Sequence, residues 1–214
     1  MHKHHLLISG TGRAGTTFLV QLLTELGLDT GFSKAHEGIH QACHAGMERN
    51  TEEIFNQTAP YVVKSPGLSE QIDKILEAPG VVIDFMIVPI RDLYASAESR
   101  RTNARQAKNR KAPGGLWLTK NPRKQEAALA EQFHHLVHAL VKHDVPMIWL
   151  HFPRLVQDPD YLYGKIKSVL PGQNLESFTR AFRAVSRPEL VHEFEQKSSP
   201  KKSLLKGLKT WFRP

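Results

Sequence analysis

The stretch that most restricts the fold lies at the start of the chain. The apolar run His5-Leu6-Leu7-Ile8-Ser9 breaks into the loop Gly10-Thr11-Gly12-Arg13-Ala14-Gly15. Thr16-Thr17-Phe18-Leu19 then opens a helical pattern. Glycines let a backbone turn tightly and bring its N–H groups close to a ligand. The helix that follows aims the positive end of its dipole at the same place. A strand, a glycine turn and a helix in this order make an anion cradle suited to a phosphate.

Two common phosphate-binding frames fit the loop incompletely. Gly10-x-Gly12-x-x-Gly15 matches the dinucleotide fingerprint, which also needs a second apolar strand ending near an acid about 20 residues on. The interval Gly27-Leu28-Asp29-Thr30-Gly31-Phe32-Ser33-Lys34-Ala35-His36-Glu37 contains no such strand. Gly10-x-x-x-x-Gly15 matches the frame of a nucleotide kinase or NTPase, whose lysine and hydroxyl serve the terminal phosphates and magnesium. Here Gly15-Thr16-Thr17 leaves no lysine in that frame. The positive charge sits within the loop, at Arg13.

Apolar strand candidates at 5–9, 61–63, 83–90 and 146–151 alternate with helical periodicity. The helices fall at 16–27, 69–77, 92–102, 124–143, 159–169 and 174–184. Such alternation predicts an α/β fold with a parallel sheet. At 214 residues the chain suits a single domain spanning 1–214 that buries about 70% of its unfolded surface. Residues 103–123, basic and carrying Pro113-Gly114-Gly115, read as a loop or lid.

A second phosphate signal follows Met86-Ile87-Val88-Pro89-Ile90. Arg91 stands at a strand's carboxyl end, where open parallel sheets bind ligands. Ser99, eight residues later, lies two helical turns along on a similar face, so one cation and one hydroxyl can meet one phosphate. Ser96 competes for that role.

Taken together these motifs resemble those of sulfotransferases that use 3′-phosphoadenosine 5′-phosphosulfate. In that family Lys or Arg precedes Ser-Gly-Thr-Thr, and Arg13-Ala14-Gly15-Thr16-Thr17 departs only by Ala for Ser. Arg91-Asp92-Leu93, with Ser99, resembles the family's Arg-Asp/Asn-Pro and later serine, with Leu93 in place of proline. Val62-Val63-Lys64-Ser65-Pro66 looks like its second strand and the turn beside the acceptor. The frame Leu155…Asp158-Pro159 is similar to a later strand-to-helix continuation.

The resemblance covers about residues 5–185. It implies a three-layer α/β fold with a central parallel sheet, like that of P-loop nucleoside triphosphate hydrolases. It also implies sulfuryl transfer to a hydroxyl or amine acceptor, a small molecule, glycan or lipid, with no metal required. Arg13, with the loop residues Gly12, Ala14, Gly15, Thr16 and Thr17, would hold the 5′ end of the donor. Arg91 and Ser99 would anchor the 3′-phosphate, and Lys206-Gly207 would add a basic turn there. Glu37 is the favoured general base and His36 the second; Lys64 would stabilise the transferring group. The product nucleotide would be 3′-phosphoadenosine 5′-phosphate. The alternatives are a nucleotide kinase or NTPase with an unusual loop, and a non-catalytic module for phosphorylated ligands or nucleic acid.

Charge and composition narrow the setting. The net charge is +8, and Lys197, Lys201, Lys202, Lys206, Lys209 and Arg213 supply six positives after residue 196 with no acid among them. The middle cluster, Arg100, Arg101, Arg105, Lys108, Arg110 and Lys111, has no interleaved aromatics, so an anionic cofactor explains it without nucleic acid. The tail 197–214 is amphipathic, with Leu204, Leu205, Leu208, Trp211 and Phe212 on one face. A closing segment packed on the core is the preferred reading, and a membrane-surface helix the other. His134, His135 and His138 read as a solvated helix face rather than a ligand set. One cysteine, Cys43, suits a reducing compartment, and there is no apolar run of membrane length. Sulfotransferases of the secretory pathway usually carry a membrane anchor, so the resemblance then implies a cytoplasmic enzyme of bacterial type.

Overall fold

A computed structural model describes residues 2–40, 43–107, 114–170, 172–192 and 194. The chain forms β1 (Lys3–Ile8), α1 (Thr16–Glu25), the two short strands β2 (Ile39–His40) and β3 (Ala45–Gly46), and α2 (Glu52–Phe55). It continues through β4 (Val62–Lys64), α3 (Leu68–Leu76), β5 (Val81–Ile90) and α4 (Leu93–Gln106). The remainder is α5 (Gln125–Lys142), β6 (Met147–His151), α6 (Arg154–Gln157), α7 (Pro159–Ile166) and α8 (Leu175–Val185). β4, β1, β5 and β6 lie in that order in one parallel sheet, and β2 pairs with β3 as a separate hairpin.

Helices cover both faces of the sheet, and the alternation of strand side chains divides the core between them. Leu6, Ile8 and Ile87 face Leu19, Leu22 and Leu23 of α1, together with α7 and α8. Leu7, Met86 and Val88 face Ile72 and Ile75 of α3, with Leu136 and Leu140 of α5. The chain steps from β1 outward to β4, then back across β1 to β5 and on to β6. Right-handed crossovers that run in opposite directions must lie on opposite faces. They do so here, with α1 on one face and α3 on the other. Between β1 and β5, where the direction reverses, the loops at the carboxyl ends part and leave a crevice. The glycine loop follows β1 and Arg91 follows β5, so both border it.

Caps mark several helix starts that polar residues announce. Asp92 accepts from the Ala95 N–H at 2.8 Å at the head of α4, and Asp158 accepts from the Tyr161 N–H at 2.9 Å above Pro159. All four sheet strands fall within two residues of the sequence-based spans.

The helix expected over 92–102 runs on to Gln106, which moves the start of the expected loop at 103. Apolar periodicity fades after Ala97. Glu98 instead bridges Arg101 and Arg105, and Ala104 is buried, so charge pairing carries the helix onward. The span 159–169 divides into α7 and a 3₁₀ turn over Lys167–Val169. Residues 108–113 and the tail from 195, including Lys206 and Gly207, lie outside the described residues.

Phe178 is fully buried in α8 and meets Tyr163 with ring centroids 5.2 Å apart. Phe178→Ala is expected to lower unfolding free energy by about 3–5 kcal/mol in chemical denaturation. A loss under about 1 kcal/mol would show that this face of the core is not closely packed.

Candidate functional site

The glycine loop is shaped by close approach as much as by its turns. A Cβ at Gly10 would overlap the Pro89 carbonyl oxygen, so only glycine lets the end of β1 lie this near β5. Gly12, Arg13 and Gly15 then have φ of 71°, 54° and 83°. A non-glycine residue in that region is strained, so Arg13 must be held by its surroundings.

It is held at three points. Its Nε donates to Ser99 Oγ at 3.1 Å, its Nη1 donates to the Cys43 carbonyl at 2.9 Å, and its own carbonyl accepts from Arg91 Nη1 at 3.0 Å. The Arg91 N–H also donates to Thr11 Oγ1 at 3.3 Å. The two phosphate motifs are therefore bonded to each other. Ser99 and Arg91 meet through Arg13 rather than directly.

A cleft of about 930 Å³ opens over this junction. Gly12, Arg13, Gly15, Thr16, Thr17, Arg91 and Ser99 line it, as do Lys64 and His36. Ala14 does not, since its methyl group is fully buried in the core beneath the loop. Ser96, the competitor of Ser99 in sequence, is also fully buried and does not line the cleft, whereas Ser99 does. Glu37 differs from expectation. Its exposed carboxylate turns back to accept from the Ser33 N–H at 2.8 Å and the Ser33 Oγ at 3.0 Å, and it does not line the cleft. Those bonds also hold its pKa below the usual carboxylate range. His36, next to it, does line the cleft.

Three lining residues carried no separate signal in the sequence. Arg100 read as one member of a surface cluster, but its guanidinium packs on Gly12, where a Cβ would overlap its Nη2. Trp117 lies beside it, with the Arg100 Cζ 5.9 Å from the ring centroid. Glu48, from the segment after β3, accepts from Lys64 Nζ at 2.8 Å, and the same Nζ donates to the Gly46 carbonyl at 2.9 Å. Thr17 Oγ1 donates to the Gly46 carbonyl too, at 3.3 Å, so the hairpin is tied to both α1 and β4.

Arg101 and Arg105, by contrast, bond to Glu98, and Arg101 also pairs with Glu126. His134 and His138 stack on each other at 6.1 Å on the exposed side of α5, away from the cleft.

The electrostatics of the cleft are one-sided. Among the described residues, Arg13, Arg91 and Arg100 form no ion pair with any carboxylate. Arg91, 8% exposed, donates to the Arg13 and His192 carbonyls and lies over the Phe152 ring at 4.8 Å. Burial pushes its pKa down to about 10, with a further push from the charge of Arg13. Arg100 falls to about 10 for the same two reasons in the same order. Burial also lowers Arg13, and it lowers Lys64 against the opposing pull of Glu48.

A cation with a folded pKa below its unfolded value binds fewer protons in the folded chain. Its cost is fully present at neutral pH and is relieved only as pH rises through about 10. An oxyanion in the cleft would relieve the same cost at pH 7.

Comparison with known protein families, with characterised proteins and with solved structures returns no match.

Sulfate or pyrophosphate should therefore raise the melting temperature at pH 7 beyond sodium chloride of equal ionic strength. At a hundredfold excess over Kd the gain is about 2.7 kcal/mol, or roughly 5–10 °C. Equal shifts with chloride would show that the three arginines do not form an anion site.

Proposed function

We propose that the chain is a sulfotransferase with a P-loop-like α/β core, taking its sulfuryl group from 3′-phosphoadenosine 5′-phosphosulfate. One observation carries this reading. Buried and half-buried guanidinium groups with no ion pair among the described residues border a glycine loop and helix start whose sequence has Thr16 where a nucleotide kinase or NTPase has its lysine. The cleft volume is in the range of small-molecule sites, and its excess of donors suits a ligand with phosphate groups at two ends. The acceptor is a hydroxyl or amine.

The donor, when bound, supplies an activated sulfuryl group whose leaving oxygen belongs to the 5′-phosphate. Arg13 and the N–H groups of Gly15, Thr16 and Thr17 hold that oxygen and stabilise the charge that grows on it. Arg91 and Ser99 hold the 3′-phosphate and so set the register of the nucleotide. Arg91 is kept in place by the ring of Phe152 and by the loop carbonyl it bonds. Lys64, at the carboxyl end of β4, brings a positive charge to the acceptor side of the glycine loop.

The acceptor must give up a proton. His36 is assigned as the base because it lines the cleft, whereas the Glu37 carboxylate is committed to Ser33. A cytoplasmic setting belongs to the same reading, since a lone buried Cys43 suits a reducing compartment.

Isothermal calorimetry with 3′-phosphoadenosine 5′-phosphate, ATP, ADP and NAD tests the assignment. The bisphosphate should bind at least about tenfold tighter than the others, a difference of about 1.4 kcal/mol. Magnesium-dependent preference for ATP would overturn the reading in favour of a kinase or NTPase. Tight RNA binding insensitive to the bisphosphate would favour a nucleic-acid module.

Arg13→Ala should lower turnover of a labelled donor by about a hundredfold to a thousandfold. Arg91→Ala should mainly weaken nucleotide affinity, by about tenfold to a hundredfold. His36→Asn should reduce turnover at unchanged nucleotide affinity, while Glu37→Gln stays near wild type. The reverse pattern would return the base to Glu37.

A further inference from the structure

Two buried N–H donors in the cleft wall lack acceptors among the described residues: Arg100 Nε and Trp117 Nε1. They belong to neighbouring side chains, with the Arg100 Cζ 5.9 Å from the Trp117 ring centroid. The surrounding bonds hold the pair firmly. Arg100 Nη1 donates to the Gly115 carbonyl at 3.0 Å. The Trp117 backbone is clamped by Gln125, whose Oε1 accepts from its N–H at 2.9 Å and whose Nε2 donates to its carbonyl at 3.0 Å. Gln125 itself is fully buried.

A buried donor without an acceptor costs free energy that a carbonyl or an anion would remove. Here two such donors sit together. One belongs to a guanidinium with no carboxylate in ion-pair reach among the described residues, and that guanidinium packs against Gly12 of the glycine loop.

We propose that Arg100, with the Trp117 indole N–H beside it, is a further oxyanion-binding position, gripping the 5′ end of the nucleotide donor together with Arg13. The assignment rests on the sulfotransferase reading for the identity of the ligand. It does not rest on that reading for the chemistry, which is that of a phosphate or sulfate oxygen.

The 5′ end is chosen over the 3′ end by position. Arg100 touches the loop after β1, whereas the Arg91 guanidinium bonds the Arg13 and His192 carbonyls and stacks over Phe152. Arg100 also explains why Ser99 is used by Arg13. With Arg13 bound to Ser99 and to the Cys43 carbonyl, a second cation beside Gly12 completes the charge around a dianionic group. The bond to Gly115 adds a consequence: the same guanidinium that would meet the anion also holds residues 114–117, which line the cleft.

The test compares wild type, R100Q and R100K by calorimetry with 5′-AMP, 3′-AMP and inorganic pyrophosphate, alongside melting temperatures without ligand. R100Q should lose about tenfold to a hundredfold in affinity for 5′-AMP and pyrophosphate while 3′-AMP changes less than about twofold. R100K should recover part of the loss, because the charge returns without the planar fork. The melting temperature of R100Q should equal or exceed that of wild type, since an unpaired buried charge has gone.

Unchanged binding of 5′-AMP and pyrophosphate, or a loss confined to 3′-AMP, would overturn the proposal. So would an R100Q protein of lowered melting temperature that binds all three ligands equally poorly while R100K binds none better. If wild type binds pyrophosphate through Arg100 but no adenosine phosphate, the nucleotide reading falls and the oxyanion position stands.

Discussion

Arg13 is the joint on which the cleft depends. Its backbone sits at a positive φ that no side chain favours, its carbonyl accepts from Arg91, and its guanidinium reaches Ser99 and the Cys43 carbonyl. Those bonds link the loop after β1, the start and second turn of α4, and the segment between β2 and β3. Strain in a loop persists only where several contacts determine it together. The same contacts that hold the strain bring the two phosphate-type motifs into one wall.

Sheet topology makes that wall possible. The crossovers from β1 to β4 and from β4 back to β5 run in opposite directions, and α1 and α3 lie on opposite faces, as the general right-handedness of such connections requires. The crevice between the ends of β1 and β5 follows from the reversal. Into it the chain puts several cations, three of which form no ion pair among the described residues. Lys64 has Glu48, but among the described residues Arg13, Arg91 and Arg100 bond or stack on carbonyls, a hydroxyl and aromatic faces. Guanidinium groups tolerate such surroundings better than ammonium groups because they are weakly hydrated and stack on rings. They still favour an anion over none.

Much of this was legible in residue order, for reasons that differ by element. β1, β5 and β6 are apolar runs bounded by breaks, and α1 and α5 repeat apolar residues at helical spacing, so their spans are close to those expected. Arg13, Arg91 and Ser99 were singled out from motif spacing and Lys64 from the family resemblance, and all four line one cleft. Glu37 and Ala14 were carried over from the family resemblance by their positions along the chain, and the direction of a side chain is not written there. One turns back to Ser33, and the other enters the core. Arg100 was hidden among surface arginines because only packing against Gly12 separates it from Arg101, two of whose bonds are to carboxylates. Glu48 and Trp117 had no periodicity or motif, and the contacts that give them meaning are long-range.

The most direct test is a crystal structure of the protein with 3′-phosphoadenosine 5′-phosphate. The account predicts the 5′-phosphate against residues 12–17 and the 3′-phosphate between Arg91 and Ser99, with the adenosine spanning the crevice. A nucleotide bound outside that crevice, or inside it with neither phosphate touching Arg13 or Arg91, would contradict it.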